Sequence, residues 1–365
     1  MNDVEEKLTI STPGRICLFG EHQDYLQLPI IAAAISRRIY VEGTSRVDSK
    51  VNIDLPDIRR RESFEIRDKI PYVKERDYFR SVINVLQRKG HHFSQGLDCT
   101  VHGDIPINAG TSSSSALVVG WTNFLVRMTD TLKPFSPEQI AQIAYEAEVL
   151  EFSEPGGMMD QFSTAKGGLI WLESFPTIKL TSINAPLKSF VLGNSHQPKD
   201  TKYVLANVKN KMLGIISLLS ARHPDFSIQT VEVENLYPFR GEVTKDQFSL
   251  LSGTVRNRDI SFEAKKVLEQ VPLDHKRIGD LLNEHQAVLR DVLRISTPKI
   301  DRMIDAALKS GAFGAKINGS GGGGCMFAYA PESPEVVADA VRSVSEAAIV
   351  DVDEGTRVDS KVPVT

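Results

Sequence analysis

The sequence predicts a two-domain protein of mixed α and β structure. Three observations carry this reading: 365 residues are more than one core normally holds, short apolar runs alternate with helical periodicity in the first half, and the pattern beyond about residue 185 is mostly helical. Two packed domains with a cleft between them, divided into 1–185 and 186–365, are the expected organisation.

The first forty residues read as strand, turn, strand: Lys7 to Ile10, the turn Thr12-Pro13-Gly14-Arg15, then the apolar Ile16 to Phe19. A polar interruption separates these from a second apolar run, Pro29 to Ile35, and Val47 to Leu55 alternates as a strand does. Asp77 to Lys89 sets Phe79, Val82, Ile83 and Leu86 at helical spacing. Leu97 to Val101 is a further strand, leading through Gly103-Asp104-Ile105-Pro106 into a serine-rich loop. Ala116 to Met128 reads as a buried helix, and Pro137 to Phe152 as a second one capped by Ser136. Strands are expected at Gly167 to Leu172 and Lys188 to Leu192, with the domain boundary between them. Helices follow at Lys202 to Leu219, Leu273 to Leu293 and Ile300 to Ser310, and a glycine-rich strand region near 312–329.

Composition narrows the function class. With 41% hydrophobic and 25% charged residues the chain has the balance of a soluble globular protein. A net charge of -4 argues against a broad basic face for nucleic acid. Three scattered cysteines, Cys17, Cys99 and Cys325, make neither a disulfide framework nor a zinc site and fit a reducing compartment. The acidic N-terminus lacks an apolar signal core, and no stretch reaches the roughly 18 apolar residues of a membrane span. A cytoplasmic protein with no membrane or nucleic-acid partner, monomeric or a homodimer, is expected.

Four segments could carry chemistry. The run from Pro106 to Ala116 joins Asn108, Ala109, Gly110 and Thr111 to four serines, Ser112 to Ser115, just before a helix. Such a loop can aim several backbone N–H groups, aided by the helix dipole, at one phosphate. A serine-rich N-cap would look the same. No GxxxxGK[ST] sequence is present, so it is not a Walker-type loop. The second segment, Gly319 to Cys325, holds five glycines in six positions between apolar residues, which suits close approach of backbone to a ligand better than a linker. The third is Arg15 with Gly20-Glu21-His22-Gln23-Asp24-Tyr25, a polar cluster between two apolar strands. The fourth is Glu148 and Asp160, which the turn Pro155-Gly156-Gly157 can bring to one cleft, one carboxylate for magnesium and one for a nucleophilic hydroxyl. Isolated acids on a helix and a turn would otherwise be solvated.

In this order the four segments resemble the GHMP small-molecule kinases, and within them the galactokinases. The chain reads PGRICLFGEHQDY at 13–25, PINAGTSSSS at 106–115, GMMDQF at 157–162 and GSGGGGC at 319–325, similar to the PGRxNxxGEHxDY, PxGxGLSSSA, GIMDQF and GGGFGGC signatures. The resemblance covers residues 10–330. It implies an α+β fold with an N-terminal domain like ribosomal protein S5 domain 2 and a C-terminal ferredoxin-like domain. It implies an ATP- and Mg2+-dependent kinase that phosphorylates the anomeric hydroxyl of galactose or a related sugar. Asp160 and Arg15 would be catalytic, and Glu21, His22 and Asp24 would bind the sugar. Residues 108–115 would bind ATP, Ser113 or Ser114 with Glu148 would hold magnesium, and Gly319, Gly321 and Gly322 would form an active-site glycine loop. Two stretches, Ala32 to Ile35 and Ser195 to Tyr203, are instead similar to mevalonate kinases, so a kinase of a hydroxylated acid is the alternative enzyme. A non-catalytic sensor of sugar and nucleotide is the alternative outside enzymes.

Overall fold

In a computed structural model the described residues are 6–130, 133–198 and 201–363. The first strand, β1 (Glu6–Phe19), runs without a break through the segment expected to turn. It forms an antiparallel hairpin with β2 (Ile30–Ser45), and the register slips between Pro13 and Gly14. A slip of this kind is a bulge, which absorbs a proline that cannot donate to the ladder and keeps the strand intact. A second slip between Cys17 and Phe19 leaves Leu18 without a β2 partner.

A second hairpin, β3 (Lys50–Leu55) and β4 (Arg60–Glu65), precedes α1 (Tyr78–Arg88) and β5 (Leu97–Gly103). The helix α2 (Ser113–Leu125) begins three residues earlier than the apolar pattern suggested, so Ser113 to Ser115 are its first turn rather than a loop. The helix α3 (Pro137–Tyr145) carries the expected Ser136 cap, completed as a capping box by Gln139. It passes into one π turn, Glu146–Leu150. Asp160 lies in the first turn of α4 (Met159–Lys166), a helix too short to show periodicity. Then come β6 (Leu169–Glu173) and β7 (Lys179–Ile183), which complete a sheet of order β12-β1-β2-β5-β3-β4, with β6 on β2. Its inner face packs on α1 to α4 around Trp121, Phe124 and Phe79.

The chain crosses to a second sheet at β8 (Phe190–Asn194). Two long helices follow, α5 (Thr201–Arg222) and α6 (Lys245–Leu268), of which the second is nearly uniform around its circumference and gave no periodic signal. Between them Leu26 and Leu28 of the β1–β2 loop are buried with Met212, Ile215, Leu251 and Val255. Next are α7 (His275–Asp291), α8 (Pro298–Lys309), β9 (Gly314–Ile317), β10 (Cys325–Tyr329), α9 (Pro334–Arg342) and β11 (Glu346–Val350). The order β11-β8-β10-β9 with helices in the crossovers is the ferredoxin-like arrangement.

The last strand, β12 (Arg357–Pro363), returns to the first sheet and pairs with β1. The crossing thus lies between Ile183 and Phe190, while the division at 185 leaves this returning strand on the wrong side of a single cut. Arg38, 5% exposed, fastens the return. Its guanidinium donates to Asp353 at 2.7 Å, to the Glu354 and Gly355 carbonyls, and to Ser11. Removing it strips a charged donor from the buried Ser11 acceptors and from the part-buried bonds to Asp353, Glu354 and Gly355, so Arg38→Met is expected to cost about 3 kcal/mol. Urea denaturation followed by circular dichroism checks this.

Candidate active site

All four chemistry-bearing segments converge on one cavity between the two sheets. Arg15, Glu21, His22, Asp24, Asn108, Gly110, Ser112, Ser113, Ser114, Asp160 and Gly319 line it. Ala109, Thr111 and Ser115 are buried behind that wall. Gly321 and Gly322 are not on it.

At the cavity floor Arg15, 3% exposed, donates from Nε to Asp160 Oδ1 at 2.8 Å, and its Nη2 lies 2.7 Å from the same oxygen. Its Nη1 donates to the Gly110 carbonyl at 2.5 Å, which ties β1 to the serine segment. That segment holds three left-handed residues in five positions, Asn108 (φ 55°), Gly110 (φ 90°) and Ser112 (φ 61°). Left-handed turns of this kind let successive N–H groups face one concavity, and α2 starts there with its unpaired donors. Ser112 Oγ is buried without a hydrogen-bond partner.

The loop that carries Glu21, His22 and Asp24 is held from several directions. Glu21 is 2% exposed: Oε2 pairs with Lys316 Nζ at 2.6 Å and Oε1 accepts from the Gly319 amide at 2.5 Å. The His22 ring bridges Ser320 O, 3.0 Å from Nε2, and the Tyr25 hydroxyl, 2.8 Å from Nδ1. A carbonyl only accepts, which assigns the proton to Nε2 and makes Tyr25 the donor to Nδ1. Asp24 accepts from the Tyr25 and Met159 amides, at 2.9 and 3.4 Å. Burial, and then the charge of Asp160, push its carboxyl up to about 6.

Glu148, 6% exposed in the π turn, lies beneath the serines. Gln161 Nε2 donates to its Oε2 at 2.7 Å, and Ser114 and Ser115 are within hydrogen-bonding reach. Burial raises its carboxyl despite these donors. A single π turn shifts the helix phase, which is how α3 can end with Glu148 turned inward.

The glycine segment needs no side chains for a different reason than the one expected. All its glycines have positive φ. The segment packs on protein backbone: a Cβ on Gly319 would meet Gly110 Cα at 2.9 Å, and one on Gly324 would meet the Ala109 carbonyl at 2.5 Å. Gly321 and Gly322 lie against Ile295, whose carbonyl accepts from the Gly322 amide. The segment buttresses the serine loop.

The sequence reading assigned no role to Tyr25 or Gln161, though both stand in the segments singled out, and did not point to Arg76 and Tyr78 on the cavity wall or to Lys316 and Asn318 behind it. Arg76 is held by Glu154 at 2.9 and 2.7 Å. Lys316 and Asn318 sit directly before the glycines. A lysine within an apolar strand was the available signal, since such a charge is buried only with a partner.

Residues 77–168 match the N-terminal domain of the GHMP kinases, residues 264–347 the GHMP kinase C-terminal domain, and residues 2–44 the galactokinase galactose-binding signature. The chain belongs to the GHMP kinases. It is similar to the galactokinase of Actinobacillus succinogenes, 28% identical over 358 residues covering 92% of this chain and 88% of the relative. It is also similar to the mevalonate kinase of Pyrococcus furiosus, 29% identical over 345 residues covering 92% and 93%. Its fold matches the crystal structure of Lactococcus lactis galactokinase complexed with galactose with a TM-score of 0.86, at 21% identity, covering 98% and 96% of the two chains.

As a GHMP kinase the protein is a phosphotransferase with an alcohol group as acceptor. Among the described residues no three or more His, Cys, Asp or Glu side chains gather as a metal cage, and no helix is long and apolar enough to cross a membrane. Magnesium in kinases keeps waters and phosphate oxygens, so one buried carboxylate beside hydroxyls is a suitable donor set. The orphaned Ser112 Oγ, at the α2 N-terminus, and Gln161 Oε1, on the first turn of α4, are polar groups of the kind a hydrated cation or phosphate would satisfy.

Gly157 packs tightly on Asp24: a Cβ there would lie 2.2 Å from Asp24 Oδ2. Gly157→Ala is expected to raise the acceptor KM at least tenfold with the ATP KM unchanged. Initial rates with each substrate varied in turn separate the two.

Proposed function

We propose that this kinase transfers the terminal phosphoryl group of ATP to the anomeric hydroxyl of galactose or a closely related neutral monosaccharide, giving the sugar 1-phosphate and ADP. The observation that carries the reading is the Arg15–Asp160 pair at the junction of the GEHQDY loop and the α2 N-terminus. Asp160 receives the proton of the acceptor hydroxyl as it attacks, and Arg15 offsets charge on the transferred group. Glu21, His22 and Asp24 bind and orient the sugar, and the backbone from Asn108 to Ser115 cradles the triphosphate. Glu148 with Ser113 or Ser114 would hold Mg2+, which supplies charge neutralisation on the phosphate oxygens.

The similarity to a mevalonate kinase favours a hydroxylated acid as the second reading. Among the described residues lining the cavity, both arginines are already engaged, Arg15 by Asp160 and Arg76 by Glu154. A carboxylate acceptor would have to displace one of these partners, whereas a neutral polyol needs only hydrogen bonds. Lys199 and Lys202, in the stretch similar to mevalonate kinases, lie outside the residues whose side chains are described.

A coupled ADP assay over galactose, N-acetylgalactosamine, arabinose, uronic acids, heptoses and mevalonate tests the reading. Turnover with a neutral sugar is expected, and mevalonate as sole acceptor refutes it. Asp160→Asn is expected to lower kcat by about 10²- to 10⁴-fold with substrate KM values little changed.

The raised Asp24 carboxyl adds a pH signature. As pH falls through about 6 it takes a proton and loses capacity to accept from a sugar hydroxyl, so kcat/KM for the acceptor is expected to fall there. Its folded pKa exceeds its unfolded one, so the ionised form is a cost to folding that is present at neutral pH and relieved as pH drops from about 6 toward the ordinary aspartate value. Asp24→Asn should therefore melt higher than wild type at pH 7 and lose that advantage at pH 4, by differential scanning fluorimetry.

A further inference from the structure

Gln161 is the residue beside Asp160 on the first turn of α4, and the two side chains diverge. Successive helical residues point about 100° apart. Asp160 faces Arg15, while Gln161, 2% exposed, faces Glu148 and the serines. Its Nε2 donates to Glu148 Oε2 at 2.7 Å and reaches Ser115 Oγ at 3.4 Å. An ionised carboxylate only accepts, so this contact fixes the amide's orientation and turns its oxygen the other way. That oxygen, Oε1, is buried without a hydrogen-bond partner, as is Ser112 Oγ, and both residues line the cavity. A stability role alone gives no reason to bury an amide oxygen unpaired, since that costs free energy. Two orphaned oxygens beside a buried carboxylate at a helix N-terminus suit a hydrated hard cation, which supplies donors through its waters.

We propose that Gln161 is a positioning residue for the divalent cation: its amide N–H holds the Glu148 carboxylate against Ser114 and Ser115, and its amide oxygen accepts from a water on the ion. This rests on the reading of Glu148 as a magnesium ligand. Carboxylates that bind metals are themselves held by hydrogen bonds, and loss of such a partner weakens metal affinity by about 10- to 100-fold. Gln161 would thus link the metal carboxylate to the helix turn that carries Asp160.

The test is calorimetric titration of ADP at increasing MgCl2, without acceptor and without turnover, on wild type and Gln161→Met. The Mg2+ concentration that half-maximally tightens ADP binding is expected to rise about 10- to 100-fold in the variant. ADP binding in EDTA is expected to stay unchanged. Adding Gln161→Met to Glu148→Gln should give little further loss, because the one residue acts through the other. An unchanged Mg2+ dependence, or a full additive loss on the Glu148→Gln background, overturns the proposal. If the methionine variant does not fold, Gln161→Asn, which keeps the amide on a shorter stem, must show the same rise. Wild-type ADP binding that is indifferent to Mg2+ would overturn the magnesium role of Glu148 itself, and this proposal with it.

Discussion

The cleft depends on a buried ion pair between Glu21 and Lys316, whose side chains are 2% and 0% exposed. Neither charge could be buried alone, since an unpaired ion in this environment costs several kcal/mol. The pair therefore forces the β1–β2 loop of the first sheet and the β9 strand of the second to meet. Lys316 uses its remaining protons on the Cys17 and Ile317 carbonyls, at 2.9 and 2.8 Å. Asn318, just past the end of β9, accepts from the Cys17 amide and donates to the Gly110 carbonyl, each at 2.9 Å. Side chains of one domain thus serve the free edge of a strand in the other.

This arrangement accounts for the glycine segment. Once Lys316 and Asn318 draw β9 onto β1, the chain leaving β9 runs against the backbone at 109–110, where a Cβ has no room. The Cys325 amide then closes on the Ala109 carbonyl at 2.7 Å as β10 begins. Gly110 O accepts from both Arg15 and Asn318, so the arginine, the serine segment and the glycine segment share one acceptor. A rigid frame of this kind suits phosphoryl transfer, in which alignment and charge placement do most of what a protein can do.

The parts of this site that were legible in the sequence are those where residue type reports backbone. Four serines before an apolar stretch, a glycine run between apolar residues and a Gly-Glu-His loop between strands each point to a special conformation or a polar ligand. What escaped notice was fixed by tertiary structure. The turn expected at Thr12 to Arg15 is a bulged strand, because a long partner, β2, overrides the local preference of Pro13 and Gly14. The helix α6 was invisible because its buried residues are spread around its circumference as it packs against α5, α7 and the β1–β2 loop. The return of β12 to the first sheet depends on Arg38, whose partners lie more than 300 positions away at Asp353 to Gly355. No periodicity reports such a contact.

Beside Glu21, which pairs with Lys316, three more carboxylates stand in or under the cleft, and their surroundings differ. Asp160 is matched at once by the Arg15 guanidinium, whose Nη2 lies 2.7 Å from its Oδ1. Glu148 is buried under the serines and accepts from Gln161, and burial raises its carboxyl despite that donor. Asp24 receives two backbone amides and feels the charge of Asp160, an environment suited to hydrogen bonding and poorly suited to a second full charge. Like charges this close in a low-dielectric cleft cannot all ionise freely, so each needs its own partner. The loop, the helix turn and the π turn that carry them come from separate parts of the sequence, and that separation is what lets three acids in one small space have three different environments.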